Sequence, residues 1–132
     1  MTKKVVFANG CFDILHRGHI ELLRFARAHG DKLVVGLNSD ESVKALKGSS
    51  RPINSQEDRK FVLESIQYVD EVLIFGEETP YKLIKKVSPD IIVKGGDYAP
   101  ADVVGSDLCK VLIFDLIDGY SSTQILQNSG NR

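Results

Sequence analysis

The stretch Val5-Val6-Phe7-Ala8-Asn9-Gly10-Cys11-Phe12-Asp13-Ile14-Leu15-His16-Arg17-Gly18-His19 decides the fold. Its first four residues form an apolar run of the kind found in a parallel strand covered on both faces. Downstream, Leu22, Phe25 and Ala26 recur at helical spacing. Two histidines, a carboxylate and two glycines therefore sit between a strand and a helix, where open α/β sheets bind ligands. Gly10 suits a sharp turn out of the strand. Gly18 leaves the backbone open to close approach, and a helix beginning near Gly18 or His19 aims unpaired N–H groups at an anion. His16 and His19 can both face a polyphosphate, donating hydrogen bonds and, when protonated, positive charge to oxygens on a phosphorus under attack. A metal pair is the poorer reading, because the only other histidine, His29, falls at the far end of the same helix.

Working outward, apolar strand-like runs alternate with helical patterns. A helix from His19 to His29 precedes a strand from Leu33 to Leu37 and a short helix from Asp40 to Leu46. The next helix has Asn54 as its cap, Glu57 three residues on, and Phe61, Val62 and Ile66 as its apolar face. A strand from Glu71 to Phe75 follows, then a helix opened by Thr79-Pro80 and running through Lys86. Strands from Ile91 to Val93 and from Val111 to Phe114 precede a final helix from Ser121 to Gln127. This alternation predicts one doubly wound parallel sheet of class α/β.

Length and composition bound the rest. A chain of 132 residues, 42% hydrophobic, is expected to form a single domain over residues 1–132. With 17 basic against 18 acidic residues and a net charge of −1, bulk attraction to nucleic acid or an anionic membrane is excluded. Cys11 and Cys109 make neither a disulfide framework nor a metal-spaced set. The apolar run after Met1-Thr2-Lys3-Lys4 breaks at Asn9-Gly10, too short for a signal peptide or membrane span. The expectation is a cytoplasmic protein with no nucleic-acid or membrane partner.

Further candidates lie elsewhere along the chain. Lys44, Lys47 and Arg51, interleaved with Gly48, Ser49 and Ser50, read as a loop able to fold over the crevice and supply cations to a departing pyrophosphate. Standing alone, such a charge run is a solvated surface. Lys94-Gly95-Gly96-Asp97 follows a strand and permits close approach of backbone to ligand. Ser121 or Ser122 can cap the last helix while offering hydroxyls to a phosphate. Arg59, read from its helix alone, pairs with Glu57 or Asp58.

Gly10-Cys11-Phe12-Asp13 followed by His16-Arg17-Gly18-His19 resembles the G-x-F-D…H-x-G-H signature of the cytidylyltransferase-like nucleotidyltransferases. The resemblance runs from about Lys4 to Leu126. It includes Leu37-Asn38-Ser39-Asp40, Leu46-Lys47-Gly48, Ser50-Arg51-Pro52-Ile53-Asn54, Arg59, Val93-Lys94-Gly95-Gly96-Asp97-Tyr98 and Asp118-Gly119-Tyr120-Ser121-Ser122-Thr123. Within the superfamily the chain is most similar to adenylyltransferases that form ADP-activated heptose from D-glycero-β-D-manno-heptose 1-phosphate, found alone or as the C-terminal half of a bifunctional enzyme.

The resemblance implies a Rossmann-like sheet of strand order 3-2-1-4-5, ATP with Mg2+, a phosphorylated sugar as acceptor, release of pyrophosphate, and a homodimer. It implies His16, His19 and Lys47 as catalytic groups. Asn9, Gly10, Cys11, Phe12, Asp13, Gly18, Arg59, Lys94, Gly95, Gly96, Asp97, Tyr120, Ser121, Ser122 and Thr123 would surround the nucleotide and its phosphates. Asn38, Asp40, Lys44 and Arg51 would face the acceptor, and Asp13 would orient the site or hold magnesium through water. Direct transfer leaves Cys11 no role as a nucleophile. The chain departs from the family where Gly-Tyr-Ser-Ser-Thr replaces the usual Ser-Thr-Thr and where the element between Val103 and Lys110 is short. Leu116 and Ile117 stand where CTP-dependent glycerol-phosphate enzymes carry an arginine, which argues against that alternative. An FAD-forming adenylyltransferase is a second alternative, and a sensor without turnover would not need His16, His19 and Lys47 together.

Overall fold

The computed structural model describes residues 3–96 and 98–115. Its elements are β1 (Val5–Gly10), α1 (Arg17–Ala28), β2 (Lys32–Asn38), α2 (Asp40–Lys47), α3 (Gln56–Glu64), β3 (Glu71–Phe75), α4 (Tyr81–Val87), β4 (Ile91–Gly95) and β5 (Lys110–Phe114). The strands pair in parallel in the order β3-β2-β1-β4-β5, as the resemblance implied. Growth of the sheet reverses direction at β1, so the carboxyl end of β1 is the topological switch point. Between β4 and β5 a single 3-10 turn, Pro100–Asp102, stands in the place of a longer helix.

Both sheet faces are covered, which is why the central strands are continuously apolar. On one face Val6, Ala8, Leu33, Val35 and Leu37 pack against Leu22, Leu23 and Ala26 of α1 and Leu63 of α3. On the other, Phe7, Val34 and Ile92 pack with Ile84 of α4 and with Val103. At the amino end of the sheet the residue just before each of three strands ties it to its neighbour. Asp31 Oδ2 accepts the Lys4 N–H at 2.8 Å, Asp70 Oδ2 that of Leu33 at 2.7 Å, and Asp90 Oδ2 that of Val5 at 2.8 Å.

The structure revises several local expectations. Helix α1 begins two residues before His19, because His16 caps it. Ser55, not Asn54, caps α3, its Oγ accepting the Asp58 N–H at 3.2 Å. That register turns Arg59 and Leu63 inward, and Ile66 packs against the core beyond the helix end. Phe61 and Val62, expected on the apolar face, point outward, and Phe61 is 71% exposed. Lys44 and Lys47 occupy the last turn of α2 instead of a loop, where they complement the helix dipole. The Pro80 backbone, not Thr79, is the cap residue of α4. The expected helix from Ser121 to Gln127 lies outside the described residues.

Candidate active site

The chain leaves β1 at Gly10 and reaches α1 at Arg17, so the loop between must hold its own shape. It does so at the helix start through the histidines. His16 has extended backbone and its Nδ1 accepts the Gly18 N–H at 3.1 Å, while His19 Nδ1 accepts the His16 N–H at 3.3 Å. This is a capping box built from imidazoles in place of the usual hydroxyl and carboxylate. An Nδ1 that accepts is unprotonated, so each neutral ring carries its proton on Nε2. The ring centroids are 3.9 Å apart. Burial pushes the His16 pKa down; burial, then His16 and Lys47, pushes His19 down to about 4. At neutral pH both rings are neutral donors, and an incoming polyphosphate raises both pKa values.

Asp13 is 2% exposed and fastens this loop to the segment after α2. Its carboxylate accepts from Arg51 Nε at 2.7 Å, from the Ile53 N–H at 2.8 Å and from the Asn54 N–H at 2.9 Å. Asn54 Nδ2 returns a hydrogen bond to the Asp13 carbonyl at 2.7 Å. Burial alone would raise the Asp13 pKa, but the Asn54 and Ile53 N–H groups and the Arg51 guanidinium outweigh it and hold the carboxyl below its ordinary value. With both oxygens accepting hydrogen bonds, Asp13 is suited to orienting the loop. Among the described residues no group of three or more His, Cys, Asp or Glu side chains is gathered to bind a metal ion.

Arg59 makes a second junction. Its Nη1 donates to the Cys11 carbonyl at 2.7 Å and the Asn38 carbonyl at 2.8 Å, its Nε to the Asn54 carbonyl at 3.0 Å, and its Nη2 to Asp40 Oδ1 at 2.8 Å. The guanidinium is buried and donates to four protein oxygens, which gives it a structural role beside the phosphate contact that the resemblance implies. Its acidic partner is Asp40, not Glu57 or Asp58. Asn38 and Asp40, implied as acceptor contacts, also face protein: Asn38 Nδ2 donates to Ser42 Oγ at 2.8 Å, and the Asp40 N–H donates to Gln56 Oε1 at 2.9 Å.

Of the remaining candidates, Asn9 and Gly10 end β1, and Lys94 and Gly95 end β4. Asn9 and Gly10 pair in register with Gly36 and Leu37 of β2. Lys94 and Gly95 end β4 beside Ile113 and Phe114, and Gly96 follows. Cys11 lies in the field of Lys47, Arg59 and Arg51; burial nevertheless raises its thiol pKa, which argues against a thiolate nucleophile. Burial lowers the Lys94 pKa, and its Nζ lies 5.2 Å from the Tyr98 ring centroid. Lys44 and Lys47 are exposed. Asp97, Tyr120, Ser121, Ser122 and Thr123 lie outside the described residues. A cavity of about 130 Å³ between Phe12, Leu15, Asn54 and Val62 is too small for a nucleotide. Sequence reasoning missed the Ile53 and Asn54 N–H groups as partners of Asp13; a turn residue next to a second capping candidate, Ser55, was the available signal.

Known proteins resemble this chain in sequence and fold. The family model described as Cytidylyltransferase-like matches residues 7–128. The bifunctional protein HldE of Campylobacter concisus is 59% identical over 126 residues, covering 95% of this chain and 27% of its own length. That of Helicobacter pylori is 54% identical over 126 residues, with the same two coverages. The chain thus spans about a quarter of the length of the curated relatives it matches. Among solved structures, the lipopolysaccharide core biosynthesis protein from Thermoplasma volcanium is 30% identical with a TM-score of 0.74, covering 91% of this chain and 100% of that one. Pantoate-beta-alanine ligase from Francisella tularensis, 17% identical with a TM-score of 0.64, covers 97% of this chain and 69% of that one and shares the fold. With the G-x-F-D and H-x-G-H motifs on the loop at the switch point and a match along nearly its whole length, the chain belongs to the cytidylyltransferase-like family.

Proposed function

We propose that the chain is an adenylyltransferase that joins AMP from ATP to D-glycero-β-D-manno-heptose 1-phosphate, giving ADP-heptose and pyrophosphate. The observation that carries this reading is the imidazole capping box, which fixes two Nε2–H donors at the switch point of the sheet. An acceptor phosphate oxygen attacks the α-phosphorus in line; the new P–O bond forms as the bond to the β-phosphate oxygen breaks, and pyrophosphate leaves. A phosphate monoester is already a nucleophile, so the protein aligns two anions and absorbs charge. His16 and His19 donate to the α-phosphate oxygens. Lys47, exposed at the end of α2, neutralises the leaving pyrophosphate, with Lys44 one turn before it. Magnesium enters as the counter-ion of the triphosphate.

Arg51 serves the acceptor phosphate. Its Nε is held by Asp13, while its Nη2 is buried and has no hydrogen-bond partner among the described residues, a donor suited to a ligand oxygen. The Gly10 and Gly18 backbone, with Lys94, Gly95, Gly96 and Asp97, frames phosphates, ribose and base, and the segment from Tyr120 to Thr123 completes the phosphate cradle. The heptose assignment rests on the resemblance of the whole chain and on relatives named as bifunctional proteins, of which it matches one part. The product feeds glycan assembly such as lipopolysaccharide, in keeping with the name of the Thermoplasma volcanium protein. A cytoplasmic homodimer is part of this reading, implied by the resemblance, and Phe61 offers exposed apolar surface to a second copy.

The test is pyrophosphate release with magnesium, pairing ATP or CTP with the heptose 1-phosphate or glycerol 3-phosphate, and a His16→Ala control. Turnover only with ATP and the heptose phosphate, lost in the control, is expected. Turnover with CTP and glycerol 3-phosphate would overturn the substrate and keep the mechanism.

A further inference from the structure

The histidine loop contains one backbone conformation that no glycine accounts for. Phe12 has φ 46°, in the left-handed region, where a bulky residue is strained. Strain of this kind persists where the surroundings impose it, and it concentrates at functional sites. Its result here is the placement of a ring. The Phe12 side chain is 5% exposed, belongs to the cluster under α1, and meets the His19 imidazole edge-on with centroids 5.4 Å apart at 61°. On its other side it lies against Gly10, where an added Cβ would stand 3.1 Å from Phe12 Cε2. His19 in turn accepts the His16 backbone N–H.

We propose that Phe12 is a positioning residue for the histidine pair. Its ring, wedged between Gly10 and His19, holds the imidazole in the plane that lets Nδ1 take the His16 N–H and turns Nε2–H toward the phosphate. Gly10 belongs to the same device, because a residue without a Cβ leaves the ring its place. The consequence for rate rests on the transfer reaction proposed above; the ring orientation is a property of the protein alone and can be read without substrate.

Two substitutions act on this device from opposite sides. Phe12→Leu keeps apolar volume and removes the flat edge-on contact, whereas Gly10→Ala pushes the ring from beneath. His16 and Lys47, the groups whose charge reaches His19, are unchanged in both. The experiment is 15N NMR of the His19 ring across pH in the ligand-free protein, followed by steady-state kinetics. Wild type is expected to show a single Nε2–H tautomer that protonates at about pH 4. Each variant is expected to show mixed tautomers, with kcat lowered roughly 10- to 100-fold. The double variant should be little worse than the poorer single one, because both changes disturb one contact. If Phe12→Leu does not fold, Gly10→Ala carries the same readout. A wild-type tautomer in the folded variants would overturn the proposal. An altered His19 with undiminished turnover would support the positioning and overturn the part given to His19 in the transfer instead.

Discussion

The two ends of the sheet are tied with opposite chemistry. At the amino end, Asp31, Asp70 and Asp90 are exposed, and each accepts one backbone N–H from the next strand over. At the carboxyl end, the buried guanidiniums of Arg51 and Arg59 reach across 38 and 48 residues of sequence to Asp13 and the Cys11 carbonyl. An exposed carboxylate on one N–H fixes register between strands that already pair. A buried arginine, with donors in a rigid fork, fixes loops that share no ladder. The carboxyl end is also where a polyanion is proposed to bind, so ties made of cations hold the loops and bias the crevice toward phosphate at once.

Removing the strongest tie should have the largest effect. Arg59→Met leaves Asp40 and three carbonyls without their donor, so unfolding free energy is expected to fall by about 3 to 4 kcal/mol and Tm by roughly 10 °C, measured by calorimetry. Acid comes next. His19 has its pKa lowered from 6.5 to about 4, so the unfolded chain binds more protons and stability declines by about 2 to 3 kcal/mol as pH falls from 6.5 toward 4. Asp13, with a lowered pKa, adds a second decline as pH falls below 3.8 through its folded value. Urea midpoints across pH should show both legs, and Asp13→Asn should abolish only the second.

At the amino end, Asp70→Ala removes one N–H acceptor and an exposed ion pair with Arg27 at 3.0 Å, and should cost about 1 kcal/mol. A loss as large as that of Arg59→Met would erase the contrast between the two ends. Smallest of all in stability is Lys47→Ala, expected within about 0.5 kcal/mol of wild type because the side chain is exposed. Its turnover should nonetheless fall at least about 100-fold, the separation expected of a cation held for the leaving group.

The helix after β1 and the histidine loop were legible because period and punctuation agree there: an apolar run, two glycines, then helical spacing; the strand order came from the family resemblance, since periodicity does not fix which strands pair. What was not legible were the destinations of charged side chains. Arg51 and Arg59 are alike in one dimension to Lys44 and Lys47, and nothing in spacing says that the arginines turn inward while the lysines stay out. The face of α3 was misjudged for the same reason: Phe61 and Val62 outscore Arg59 in hydrophobicity, yet four hydrogen bonds acceptors draw Arg59 in. The imidazole cap was invisible because caps are expected to be Ser, Thr, Asp or Asn.

The Arg59 junction also sets an order of events during synthesis. Cys11 and Asn38 leave the ribosome well before Arg59, and β1 gains its second neighbour only when Ile91 and Ile92 have been made. The loop that carries the signature is therefore translated ahead of the residues that fasten it and acquires its final shape only after they follow. A nascent chain halted before α3 would carry every signature residue from Asn9 to His19 and Arg51, yet lack the Arg59 tie.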